Sequence, residues 1–248
     1  MALPKLETPT YELELPSTGE KIKYRPFLVK EQKLLMMAQE SNDDRQMVNT
    51  MGDLVTSCTF NKVPAKTSPM FDVEYVFLQL RAKSVGETIE LNVTCPDDEE
   101  TKVKTKINLE EVAVQMTEGH TNEIELSDDL IMIMKYPILN DMSKLVGQKN
   151  QTTQVFALLN DSILEIKYGD EIHNRKDMNK KELDEFIEQL TSHQFEKIME
   201  FFNTMPKLRH IIEVENPVTN VKNEIVLEGL QNFLGYFFLM IVLIITIR

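Results

Sequence analysis

Between Met178 and Pro206 the apolar positions fall twice at helical spacing: Leu183, Phe186, Ile187 and Leu190, then Phe195, Ile198, Met199 and Phe202. Both runs begin with the same polar device. Asn179 precedes Glu182, and Thr191 precedes Gln194, each by three residues, with apolar residues flanking the cap on either side. That is a capping box with a hydrophobic staple, written twice. The pattern predicts two short helices, each with one apolar stripe to bury, stopped at Pro206.

Elsewhere the period changes along the chain. Tyr11, Leu13 and Leu15 alternate with polar residues, Pro16-Ser-Thr-Gly19 turns the chain, and Ile22 and Tyr24 alternate again, which predicts a hairpin ended by Pro26. Helical spacing follows from Val29 to Ser41, with Leu34, Leu35 and Ala38 expected inside. A second helix carries Met47, Met51, Leu54, Val55 and Cys58. The third, from about Phe71 to Ser84, is apolar nearly all round and is expected at the centre of the core. Alternation returns in Ile89–Cys95 and Val103–Leu109 around the acidic turn Pro96–Glu100, and again in Ile124–Leu126 and Leu130–Tyr136. Residues 140–153 are polar and read as a connection. A helix is expected around Gln154 to Ile166, and a last hairpin pairs Ile211–Val214 with Ile225–Leu227. Strands in short hairpins rather than strand–helix–strand units predict an α+β fold with antiparallel pairing. The expected organisation is an N-terminal region 1–139, a C-terminal region 140–232 and a hydrophobic tail 233–248.

Charge narrows the partners. The 248 residues carry 27 Lys and Arg against 40 Asp and Glu, a net charge of −13, which argues against phosphate-backbone binding. Lys102, Lys104 and Lys106 alternate along a strand and line one solvated face. Two cysteines in different elements and a plain N-terminus suggest a reducing compartment without a disulfide framework. The 14 methionines include Met36, Met37, Met132, Met134 and Met199 on faces expected to be buried.

Candidate chemistry is sparse. Isolated glycines form no phosphate-cradling loop. The histidines, His120, His173, His193 and His210, are scattered without the close spacing a zinc site needs. Acidic turns at Asp97–Glu100 and at Asp128 and Asp129 lack the ligand order of a calcium loop and read as solvated. No nucleophile has an evident base. The expectation is a protein that is no enzyme, with no cofactor and no metal.

The tail from Phe233 to Ile247 is apolar but shorter than the roughly 20 residues a spanning helix needs. Three readings stand: a buried or partner-facing element, a membrane contact, or the product of a shifted reading frame. Back-translation of Leu239 to Arg248 allows an adjacent frame with a Tyr (or His)-Asp-Ser-Leu (or Phe)-Asn-Asn-Tyr-Asn-Lys ending.

Several stretches share one likeness: Leu3–Leu13, Tyr24–Glu31, Lys83–Glu87, Val93–Asp98, Lys135–Pro137, Phe202–Leu208 and Val226–Leu230. In order, over about residues 2 to 235, they resemble the baseplate hub subunits of T-even-type contractile-tailed phages. Members continue beyond the equivalent of Phe238 with a His-Asp-Ser-Leu-like segment, which the alternative frame resembles. The resemblance implies a structural subunit or assembly factor of the baseplate hub, without catalysis. Its partners would be other hub or tail proteins, not nucleic acid. Its places would be the host cytoplasm during assembly and the virion tail baseplate. A membrane-attached phage protein using the tail is the alternative. Candidate partner contacts are Tyr24, Arg25 and Phe27 at the end of the first hairpin, and Phe201 with Met205 beside the capped helices.

Overall fold

The computed structural model describes residues 6–145 and 150–234. Strands β1 (Tyr11–Glu14) and β2 (Lys21–Tyr24) form the first antiparallel hairpin, turned through Gly19 at a φ of 69°. Helices α1 (Val29–Glu40), α2 (Asp44–Cys58) and α3 (Met70–Val85) follow. As its all-round apolar sequence predicts, α3 is buried along most of its length. It has even taken polar groups inside. Asp72, near its start, accepts hydrogen bonds from the backbone N–H (3.0 Å) and the hydroxyl of Ser17, which pins the β1–β2 turn to the helix. Strands β3 (Thr88–Thr94) and β4 (Lys102–Asn108) pair antiparallel, and Lys102, Lys104 and Lys106 line the exposed side. A short strand β5 (Ala113–Gln115) comes next.

The chain then builds a second body. Strands β6 (Glu123–Ser127) and β7 (Leu130–Met134) pair, α4 (Leu139–Leu145) and α5 (Gln151–Ser162) follow, and β8 (Ile163–Tyr168) and β9 (Glu171–Asn174) complete a four-stranded antiparallel sheet in the order β6-β7-β8-β9. Helices α6 (Lys180–Glu188) and α7 (Ser192–Thr204) are the capped pair. Both capping boxes form. Asn179 Oδ1 accepts from Glu182 N at 2.9 Å and Thr191 Oγ1 from Gln194 N at 3.3 Å, and each partner side chain reaches back to the cap's own N–H. Afterwards β10 (Lys207–Glu215) and β11 (Lys222–Glu228) return to the first body. There β10 pairs with both β11 and β5, and the short helix α8 (Gln231–Leu234) ends the described chain. The result is α+β, built on small open antiparallel sheets.

The described chain divides into two compact units: a discontinuous one, built from the residues up to Gln115 and those from Lys207 onward, and a continuous one, Met116–Pro206. The division therefore falls elsewhere than the break expected at 140, which lies within the second unit. The helix expected from Gln154 to Ile166 stops at Ser162, and a hairpin begins at Ile163. The three-residue spacing of Ile163 and Ile166 fits a helical stripe and not a regular strand face, but Met132 and Met134 of β7 pair with them across a shift in the ladder register, and pairing wins. The polar connection from 140 likewise contains α4, whose Leu139, Met142 and Leu145 are buried. Of the tail, Phe233 is buried at 1% exposure, and residues 235–248 lie outside the described residues.

Candidate interaction site

The residues expected to meet partners fall into two groups. Tyr24 is 2% exposed, and its ring lies 5.7 Å from that of Tyr11, so it belongs to the core under the first hairpin. Phe201 is also 2% exposed, stacked on Tyr136 at 5.8 Å, beside His120 at 5.3 Å and edge-on to Phe202 at 5.2 Å. It lies off the Phe195-Ile198-Phe202 line because α7 buries a second stripe against this aromatic cluster. Met205, at the end of the same helix, is buried too. All three side chains thus lie inside the fold rather than on its surface. Arg25 and Phe27 remain near the surface, both partly buried.

Arg25 organises its surroundings. Its guanidinium donates to Glu31 at 2.9 Å and to Ser57 Oγ at 3.3 Å, and its N–H donates to the carbonyl of Cys58 at 3.0 Å. It thus ties the exit of β2 to the start of α1 and the end of α2. Burial raises the Glu31 carboxyl, but hydrogen bonds from Arg25 and from the Leu28 N–H outweigh this and hold it below its ordinary value. The ion pair fixes the orientation of α1 from one end.

With α1 fixed, its exposed face becomes the most unusual surface of the first unit. Val29 is 80% exposed, Met36 54%, Leu34 53% and Met37 51%. Leu34, Met36 and Met37 were expected inside. Instead α1 buries only Glu31 and Ala38 fully, with Leu35 half-buried, because the helix meets α2 along one narrow line. Exposed Lys30 and Lys33 stand among the apolar residues. Just beyond α2, at the end of the helix pair that Arg25 clasps, Phe60 is 50% exposed and holds a φ of 55°. A bulky residue in that region is strained. Scattered apolar residues on a surface need no explanation, whereas four of them gathered on one short helix stand out.

A family model described as T4 bacteriophage base plate protein matches residues 8–235. The chain belongs to this family. Comparison with curated proteins and with solved structures gave no match. A baseplate protein works among other phage tail proteins. Among the described residues no helix is long and apolar enough to cross a membrane, and no three His, Cys, Asp or Glu come together as a metal-holding group.

The acidic turn of this baseplate protein is largely exposed, as expected, but Asp97 also serves as a clasp. The Asp97 carboxylate accepts from Asn216 Nδ2 at 3.0 and 3.1 Å, from Asn223 Nδ2 at 2.9 Å and from the Thr219 hydroxyl. Its N–H donates to Asn223 Oδ1 at 3.2 Å. The tip of the β3–β4 hairpin is thereby fastened to the β10–β11 turn, and Asn216 and Asn223 are buried in doing so. Hydrogen bonds from Asn216 and Thr219 hold the Asp97 carboxyl below its ordinary range. Asp98 is held down as well, chiefly by Thr101. No sequence signal joins positions more than a hundred residues apart. The Asn-Pro-Val-Thr-Asn turn was legible as a turn, but its partner was not.

In the second unit a cleft of about 370 Å³ opens between the sheet and α6. Ile166 and Tyr168 of β8, His173 of β9, and Glu182, Leu183 and Phe186 of α6 line it. It was missed because β8 and β9 were not read as a hairpin.

Proposed function

We propose that the chain is a baseplate hub component, built in as a subunit or acting on one during assembly, and that it works through surface contact rather than catalysis. The observation that carries this reading is the row of exposed apolar side chains on α1, presented by a protein of a baseplate family. Arg25 holds that helix at its first turn, and Phe27, whose N–H donates to Ser84 Oγ at 2.9 Å, sits where the hairpin hands over to it. Burying three or four side chains of this size removes on the order of 100 Å² each from water, enough to anchor one centre of a larger interface.

The test is a double substitution, Val29→Glu with Met36→Glu, supplied to a phage lacking the gene. Both positions are exposed, so the fold is expected to persist, seen as an unchanged melting temperature. Baseplate completion is expected to fail. Full particle yield from the double variant would remove α1 from the interface. Mass spectrometry of purified virions separates the two hub roles: presence in the particle means a subunit, and absence means an assembly factor.

A further inference from the structure

We propose that the β9 edge of the second unit's sheet receives an extended segment of another tail protein as a fifth strand, with one apolar side chain of that segment seated in the cleft beside α6. The identity of the partner as a tail protein rests on the baseplate reading above; the strand addition itself rests on three features of this unit.

First, the sheet's two edges are treated differently. Along β6 the outward carbonyls are occupied: Lys197 Nζ donates to Glu125 O at 2.8 Å and Gln194 Nε2 to Leu126 O at 3.4 Å, both from α7. Among the described residues β9 pairs with β8 alone. Its turn, Gly169-Asp170, is two residues long, so Tyr168 and Glu171 close the hairpin as a hydrogen-bonded pair. Antiparallel alternation then turns the N–H and C=O of Ile172 outward. Ile172 is itself 60% exposed. An edge that, among the described residues, has no covering strand, proline or bulge is a template for another strand.

Second, the cleft lies beside this edge. His173 of β9 stands opposite Ile166 in the ladder, and both line the cavity. In a fifth strand, the residue next to His173 on that face would point into the cleft, towards Leu183 and Phe186. A volume near 370 Å³ admits a Leu, Met or Phe side chain.

Third, the charges around the opening select the flanks. Glu171 lies on the cleft side of β9, 3.4 Å from His173, Glu182 lines the cleft from α6, and Asp170 stands in the adjoining turn. Of the nearby basic groups, Arg175 is turned inward to the carbonyls of Asn160 and Met178, and Lys167 lies across the sheet on the Ile172 face. Lys176 is the exposed cation after the strand. The occupant that fits is an extended segment with one large apolar side chain between Lys or Arg residues.

The experiment uses the full chain and a fluorescent peptide, Thr-Lys-Val-Phe-Val-Lys-Thr, followed by polarisation. Three companion peptides replace Lys by Glu, Phe by Ala, or backbone N–H by N-methyl on the pairing side. Each is expected to bind at least about tenfold more weakly, and Ile172→Pro is expected to weaken the parent peptide to the same degree. Proline is tolerated on an edge strand where the N–H faces outward. Equal binding of the N-methylated peptide, or no binding of the parent, overturns the proposal. So does a self-dimer that Ile172→Pro dissolves, since the occupant would then be a second copy. Complementation separates this from the baseplate reading. If baseplates form without the chain, that reading falls; if they need it and Ile172→Pro restores full yield, only the strand addition falls.

Discussion

Glu74 offers the sharpest test of how the first unit is built. It sits in the second turn of α3, 8% exposed, accepting a hydrogen bond from the Leu230 N–H at 3.4 Å. Burial pushes its carboxyl up to about 7 from an ordinary 4.5, and the neighbouring charge of Glu228 adds to the rise. Above the ordinary value the unfolded chain has released this proton while the folded chain retains it. Stability therefore falls as the pH rises from about 4.5 to about 7, and the deficit persists beyond that. A rise of this size corresponds to about 3 kcal/mol at full ionisation. Glu74→Gln keeps an acceptor for Leu230 and cannot ionise. At pH 8 the variant should be more stable than the parent chain by about 2–3 kcal/mol, or roughly 4–12 °C in melting temperature for a protein of this size. At pH 4 the two should agree within about 0.5 kcal/mol. Urea titrations at both pH values measure the difference. A variant that is less stable at pH 8, or displaced equally at both values, would show that the carboxylate is compensated in the folded state, and the reasoning would be refuted.

Two further outcomes follow from other groups. His120 donates from Nδ1 to Thr204 Oγ1 at 2.9 Å, because that hydroxyl's own proton goes to Glu200 O, and its Nε2 is buried with no hydrogen-bond partner among the described residues. Burial lowers its pKa from 6.5, so the stability it supports is present above that value and is lost as the pH falls further; His120→Phe should flatten the fall in melting temperature of the second unit between pH 7 and pH 5, and an unchanged slope would count against it. Asp97→Ala should strip hydrogen-exchange protection from the 216–223 turn while leaving the β3–β4 ladder protected, and acidification through the lowered pKa of Asp97 should do the same; retained protection in the variant would show that the hairpin tips hold without the carboxylate.

What could be read from the chain alone was whatever a few neighbouring residues decide among themselves. Asn179 with Glu182 and Thr191 with Gln194 satisfy each other's backbone groups within a single turn, so both helix starts could be placed to the residue. The all-round apolar run of α3 announced its burial in the same way, and the family likeness spread over the length that the baseplate model matches. The tertiary structure decided the choices that depend on a distant partner. Ile163 and Ile166 have helical spacing, and β7 lying alongside made them a strand through an irregular ladder. Met36 and Met37 have the look of core, yet no element reaches their side of α1 among the described residues, while Phe201, off the expected stripe, finds Tyr136 and His120. Asp97 becomes a clasp only because folding brings Asn216 and Asn223 to it. Local hydrogen bonds and helical period act over three or four residues and leave their mark in order along the chain. Burial, pairing and charge compensation are settled by which surfaces arrive opposite one another, and that is a property of the folded body.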